Sequence, residues 1–190
     1  MKKIVPVLVL ALAAPLLSGC IGLAVTGAGA AALMIDDRRT TGVYIEDENI
    51  EWKALGLVRD RFKGAHVNAT SFNRKVLLTG EVSSEDVKKA VEDAVKAIPS
   101  VREVANELQV AGNSSVTSRG NDAIITSNVK ARMVGNGKFS PNHIKVITEA
   151  ATVYLLGLVT ETEGEAAVEI ARSTSGVTRV VKVFEYIAPK

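Results

Sequence analysis

The chain contains one internal repeat, and this repeat restricts the possible folds more than any other feature. When the sequence is displaced by 77 positions, residues of the first half fall on similar residues of the second. The matched pairs are His66/His143, Val67/Ile144, Val76/Val153, Leu78/Leu155, Gly80/Gly157, Val82/Val159, Ala90/Ala167, Val91/Val168, Ala94/Ala171 and, after one deletion near Pro99, Val101/Val177 and Val104/Val180. Two copies are too few for a solenoid, which needs about three units to bury a core. The sequence therefore predicts two domains of one small fold.

Both copies give the same predicted order of helices and strands. The first predicts a helix over 48–62, strands over 65–72 and 75–82, a helix opened by a capping box of Ser83 and Asp86, and a strand over 101–110. The second predicts a helix over 122–134, strands over 144–148 and 152–159, a Thr160/Glu163 capping box, a helix over 163–174 ended by Gly176, and a strand over 177–187. The fold class is α+β: two tandem α-β-β-α-β units, each with two helices on one face of a three-stranded mixed sheet.

The N-terminus predicts export. Lys2 and Lys3 precede an apolar run at 4–17, which is too short for a spanning helix of about 20 residues but is typical of a secretory signal. The sequence Leu-Ser-Gly that follows ends at Cys20 and resembles the lipobox of bacterial lipoproteins. That resemblance implies cleavage before Cys20, acyl chains such as palmitate on its thiol and new amino group, and, with Ile21 next, delivery to the outer membrane. An ordinary signal peptide or a buried apolar helix is the alternative.

The predicted segments divide the chain into five parts. They are a signal peptide at 1–19, a lipidated tether at 20–45, a first domain at 46–111, a linker at 112–120 and a second domain at 121–188. The charged run from Asp36 to Arg39 is interpreted as the point where the tether enters water. Gly80 and Gly157 lie inside predicted strands, which indicates a bulge or a close approach between helix and sheet.

The strand motif resembles that of a known family. Both copies contain Val-x-Leu-x-Gly-x-Val, at 76–82 and 153–159, and each is followed by Val-x-x-Val. The repeated unit resembles the BON domain of bacterial envelope proteins, and two copies behind a lipobox are similar to the dual-BON outer-membrane lipoproteins. The resemblance implies a non-enzymatic periplasmic protein without a cofactor, which binds anionic phospholipid mainly through its second domain and maintains outer-membrane integrity.

The second domain's first helix is the predicted lipid contact. On a helical wheel Ile125, Val129 and Met133, with Arg132, face the sheet, and a second apolar strip faces outward. The predicted lipid-binding residues on and beside that strip are Ile124, Ser127, Lys130, Ala131 and Val134. An apolar strip next to a base suits shallow insertion among anionic headgroups. The alternatives are that Ile124 packs on the other domain, or that the strip is ordinary exposed apolar surface.

Trp52 carries the chain's only indole, and it lies off the predicted core face of the first domain's helix. The resemblance implies an aromatic anchor near Ile124, where this chain has an aliphatic side chain. Trp52 therefore either shares the membrane contact or fills the space between the two domains, and the second interpretation is favoured.

Charge and motifs exclude several classes of function. Without residues 1–19 the chain has 21 basic and 21 acidic residues, since Lys2 and Lys3 are lost from 23, and a neutral protein is poorly suited to nucleic acid. One cysteine cannot form an internal disulfide. Duplication accounts for His66 and His143, no further ligand clusters with them in sequence, and no catalytic motif occurs, so neither a metal nor a catalytic site is predicted. A protein-interaction adaptor for envelope assembly or proteolysis machinery is the alternative function.

Overall fold

Two helix-covered sheets lie face to face in the part of the chain that the structure describes. This computed structural model describes residues 36–112 and 116–189, so the predicted signal peptide at 1–19 and the predicted tether residues 20–35, with Cys20, lie outside the described residues. The first domain comprises α1 (Thr41–Arg61), β1 (His66–Phe72), β2 (Lys75–Val82), α2 (Glu85–Lys96), β3 (Glu103–Asn106) and β4 (Gln109–Val110). The second comprises α3 (Val116–Val134), a 3₁₀ turn (Pro141–His143), β5 (Ile144–Glu149), β6 (Thr152–Val159), α4 (Glu161–Arg172) and β7 (Arg179–Tyr186).

Both sheets have the mixed topology that the repeat predicts. In the first, β2 pairs antiparallel with β1 and parallel with β3 and β4. In the second, β6 pairs antiparallel with β5 and parallel with β7. Each pair of helices packs on one face of its sheet, where most of the buried apolar side chains of that domain are found. The predicted α+β fold class is therefore confirmed.

The opposite faces of the two sheets pack against each other and form a third core. Its fully buried members are Phe72, Leu77, Tyr154, Leu156 and Val183. Because β2 and β6 are covered on both faces, almost all of their residues are buried, and each strand contains an apolar run, at 76–78 and at 153–156. Ion pairs join the domains around this core, such as Lys145 Nζ to Glu51 Oε1 at 2.7 Å and Arg102 Nη2 to Glu185 Oε2 at 3.3 Å.

A buried aspartate in each first helix holds the hairpin turn of its own domain. Asp47 accepts hydrogen bonds from the backbone N–H groups of Asn73 and Arg74, and Asp122 accepts them from Ala150 and Ala151, all at 2.7–2.9 Å. These four turn residues have φ between 48° and 65°, so the helical carboxylates stabilise two left-handed turns.

Several predicted boundaries are wrong, for local reasons. Helix α1 begins at Thr41 rather than at residue 48, because Thr40 caps it by accepting a hydrogen bond from Val43 N. Helix α2 is capped by Ser84, not by Ser83, whereas the predicted Thr160/Glu163 capping box is confirmed.

Two further boundaries differ around the predicted linker. The predicted strand over 101–110 is broken, because the N–H of Leu108 bonds to the side chain of Asn106 and Leu108 itself is buried. Helix α3 begins at Val116, inside the predicted linker at 112–120.

The glycines of the strand motif are explained by a neighbouring strand and not by a helix. A Cβ atom at Gly80 would overlap the carbonyl oxygen of His66, and one at Gly157 would overlap that of His143. Gly80 also has a φ of +113°, which L-residues rarely adopt. These glycines therefore allow β1 and β5 to lie close to their central strands where each hairpin opens.

The charged run before α1 does not enter water as predicted, because it lies against both domains. Arg38 donates two hydrogen bonds to Glu163 of α4, at 2.7 and 2.8 Å, and a third to the carbonyl of Leu158. Arg39 pairs instead with Asp37 and Asp47 and stacks 4.0 Å from the centre of the Phe72 ring. Two consecutive arginines thus fix the entry segment to different domains.

Candidate functional site

The outer face of α3 is apolar and exposed, as the helical wheel predicts. Ile124 and Val134 are 61% and 72% exposed, and Ser127, Lys130 and Ala131 are exposed as well. The opposite face buries Ile125, Val129 and Met133 against the sheet. Ile124 is therefore not covered by the other domain, and all five predicted residues lie on one accessible face of the helix.

The charge on this face has one sign. Between Arg119 and Val134 the only carboxylate belongs to Asp122, which is buried and occupied by the hairpin turn. Among the described residues, the ion-paired lysines are Lys75, Lys89 and Lys145, so the ammonium group of Lys130 remains available to an external anion. The exposed surface of α3 therefore combines aliphatic side chains with uncompensated positive charge.

Helix α1 carries an exposed apolar face of its own, and it includes Trp52. The indole is 74% exposed, so the interpretation of Trp52 as a plug between the domains is wrong. Ile45 and Leu55 are exposed on the same helix. The space between the domains is filled by strand residues, because the sheets meet through faces that both helices leave free.

An open cleft separates the start of α1 from the end of α3. It has a volume of about 480 Å³ and is lined by Arg39, Tyr44, Glu48, Phe72, Lys130, Met133, Val134, Pro141, Asn142, Ile144, Lys145 and Val146. Two of its three cationic side chains are compensated, since Arg39 pairs with Asp47 and Lys145 with Glu51. Lys130 and Glu48 are therefore the charged residues of the lining without an ion pair among the described residues, and Lys130 lies at the border of the apolar strip.

A second group of polar side chains meets where the two hairpins approach each other. His66 and Glu81 of the first domain and Glu149 of the second offer ligand atoms that all lie within 4.8 Å of one another. The prediction that no further ligand type clusters with the two histidines therefore does not hold for His66. The pairing of His66 with Glu81 followed from the register of β1 and β2, but the approach of Glu149 depends on the packing of two domains.

In residues 36–112 and 116–189, no helix has the length and hydropathy that crossing a membrane requires.

Comparison with known proteins identifies the family of the two domains. The sequence model of the BON domain family matches residues 47–112 and 121–188. The chain is 39% identical to the "Outer membrane lipoprotein DolP" of Haemophilus influenzae, over 90% of each chain. It is 30% identical to the "21 kDa hemolysin" of Actinobacillus pleuropneumoniae, over 80% of this chain and 79% of that one.

A third relative, the "Osmotically-inducible protein Y" of Escherichia coli, is 27% identical over 73% of this chain and 72% of its own. The two matched segments coincide with the two sheets and their helices, and the match to the lipoprotein extends over nearly the whole chain. The chain therefore belongs to the BON-domain family, as an outer-membrane lipoprotein with two BON domains.

Proposed function

We propose that this lipoprotein binds anionic phospholipid through α3 of its second BON domain and thereby maintains the integrity of the outer membrane. The observation that carries the proposal is the exposed aliphatic strip of α3 beside the unpaired Lys130. Ile124 and Val134 enter the boundary between headgroups and acyl chains, and Lys130 attracts the phosphate groups.

Attachment takes place at two points in this proposal. Acyl chains on Cys20 hold the protein on the periplasmic face of the outer membrane, and α3 makes a second, weaker contact with the headgroups. Because the first attachment raises the effective lipid concentration to the millimolar range, an intrinsic affinity of about that order is sufficient for α3 to select lipid. The role is one of binding and not of catalysis.

Sedimentation with lipid vesicles tests the proposal. A chain that begins at Ile21, and so lacks acyl chains, is expected to sediment with vesicles of anionic phospholipid but not with zwitterionic vesicles. Ile124→Asp places a carboxylate on the apolar strip and is expected to abolish sedimentation. Lys130→Gln is expected to weaken it and to reduce its dependence on salt, because it removes charge and leaves the apolar strip intact.

Val110→Asp is the matched control, since Val110 is another exposed apolar residue, 45% exposed, in an edge strand of the first domain. This variant adds the same charge as Ile124→Asp and should still sediment with anionic vesicles. If the unsubstituted chain sediments with neither kind of vesicle, the proposal that α3 recognises lipid is wrong, and the alternative of a protein-interaction adaptor gains support. If Ile124→Asp and Val110→Asp behave alike, the contact lies elsewhere on the protein.

A further inference from the structure

The polar group between the hairpins has the composition of a metal site. The Nδ1 atom of His66 lies 2.7 Å from Oε2 of Glu81, which faces it across the β1–β2 pair. Glu149 approaches from the end of β5 in the second domain and completes a set of three ligand atoms within 4.8 Å. Asn68 donates a hydrogen bond of 2.9 Å to Glu149 Oε2 and so fixes the orientation of that carboxylate.

The charge of this cluster is incompletely balanced. Glu81 is only 6% exposed, yet its ion-pair partner among the described residues is His66 alone, and Glu149 has no ion pair with a described lysine or arginine. Two carboxylates thus share one imidazole in a setting that favours an additional positive charge.

We propose that His66, Glu81 and Glu149 bind a zinc ion that links the two BON domains. The ligands are His66 Nδ1 and one oxygen atom of each carboxylate, and water occupies the fourth position. Zinc accepts imidazole nitrogen and carboxylate oxygen in tetrahedral sites, whereas magnesium and calcium prefer oxygen alone.

The site requires only small movements and is accessible. Ligands about 2.0–2.2 Å from zinc lie about 3.3–3.6 Å apart in a tetrahedron, so His66 and Glu81 separate slightly and Glu149 moves inward. An open cleft of about 630 Å³ is lined by His66, Asn68 and Glu149, among others, and gives an ion a path from solvent. The hydrogen bond from Asn68 then serves as an outer contact that orients a ligand.

The second copy of the repeat does not reproduce the site. Under the displacement of 77 residues, His143 matches His66, but Leu158 occupies the position of Glu81, and Phe72 is the first-domain counterpart of Glu149. His143 lies 3.6 Å from the carboxylate of Asp36. It therefore provides a matched control of the same residue type in the same place in the fold.

Zinc titration of the full-length protein in detergent micelles tests the proposal. After treatment with a chelator, the protein is titrated with zinc in competition with a chromophoric indicator, near neutral pH. We expect one zinc ion per chain. Because Glu149→Gln removes a ligand and preserves shape, we expect it to weaken affinity by more than the roughly tenfold loss typical of removing an outer contact, and Asn68→Ala to cause a loss of about that smaller size.

Two controls make the result decisive. His143→Asn is expected to bind zinc as the unsubstituted protein does. Zinc is also expected to raise the thermal unfolding temperature of the unsubstituted protein but not that of Glu149→Gln, since it binds only the folded arrangement. Binding of less than half an ion per chain, or equal affinities for Glu149→Gln and His143→Asn, would overturn the proposal. His66, Glu81 and Glu149 would then form a cluster of polar side chains without a metal ion.

Discussion

The two BON domains have nearly the same interior and different outer surfaces. Helices α1 and α3 each bury an aspartate and an apolar row against the sheet. Outside, α1 presents Trp52 together with charged side chains of both signs, including Glu48 and Arg59, whereas α3 presents aliphatic side chains and Lys130. The comparison teaches that duplication preserved the contacts that determine the fold and left the outer helical faces free to diverge.

Substitution of the two buried aspartates is expected to change the free energy of unfolding most, and it tests how similar the interiors of the two domains are. Asp47 accepts hydrogen bonds from four residues, which are Arg39, Ser71, Asn73 and Arg74. Asp122 accepts hydrogen bonds from the backbone N–H groups of Ala150 and Ala151. Asp47→Ala removes the acceptor of the buried Ser71 hydroxyl and of two turn N–H groups, together with one of the two carboxylates that pair with the buried Arg39, and is expected to lower the free energy of unfolding by about 3–5 kcal/mol.

Asp122→Ala is expected to cost about 2–3 kcal/mol, because it removes hydrogen bonds to a charged acceptor but no ion pair. Chemical denaturation of the two variants measures both changes. Equal losses would mean that Arg39 adds nothing to the first domain, and a larger loss for Asp122→Ala would contradict the ranking.

The pair of Arg38 and Glu163 tests how strongly the entry segment is held to the second domain. Arg38 lowers the pKa of Glu163 from 4.5 to about 2. The carboxylate therefore contributes stability that is complete above pH 4.5 and is lost as the pH falls towards about 2. Glu163→Gln keeps a side chain that can complete the capping box but loses the charge, and is expected to cost about 1 kcal/mol or less near neutral pH.

This difference between Glu163→Gln and the unsubstituted protein should shrink as the pH falls from 4.5 to 2. Thermal unfolding over that range checks it. Arg38→Gln serves as the companion variant and should lose the same pH dependence. A difference that persists unchanged at the acidic end would show that the charge of Glu163 is not the source of the stability it contributes.

The hairpin turns give the smallest expected effect, and here a substitution is expected to stabilise the protein instead of destabilising it. The turn of the second domain places two alanines at φ of 48° and 58°, where a Cβ atom is unfavourable. Ala151→Gly is expected to raise the free energy of unfolding by about 0.5–1 kcal/mol, because glycine adopts this conformation without strain. Ala166→Gly on α4 is the control and should destabilise the protein, since glycine weakens a helix interior.

Much of the fold was predictable because the repeat doubles each local signal. The strands that contain Gly80 and Gly157 were predicted at the correct positions, since each motif supports the other. The exposed face of α3 was predictable from helical periodicity alone, and Ile124 and Val134 lie where the wheel places them. Periodicity is a local property of the sequence, so it can be recognised without knowledge of the tertiary structure.

The rest depends on contacts between residues that are distant in sequence. The apolar runs of β2 and β6 leave open what covers the outer face of each sheet, and Trp52 was therefore assigned to the space that the two sheets fill by packing on each other. Two further contacts also join residues that are distant in sequence. Glu149 approaches His66, and Arg38 pairs with Glu163. The early start of α1 was missed because the glycine and β-branched residues at 41–45 are weak helix formers.

The entry segment also limits how far the folded part can move from a lipid anchor at Cys20, which is the first attachment point of the proposed function. With Asp36 to Arg39 held against both domains, the chain between Cys20 and Asp36 must span that distance, and it reaches at most about 55 Å when fully extended. In that proposal, the lipids that α3 can reach are therefore those close to the anchor.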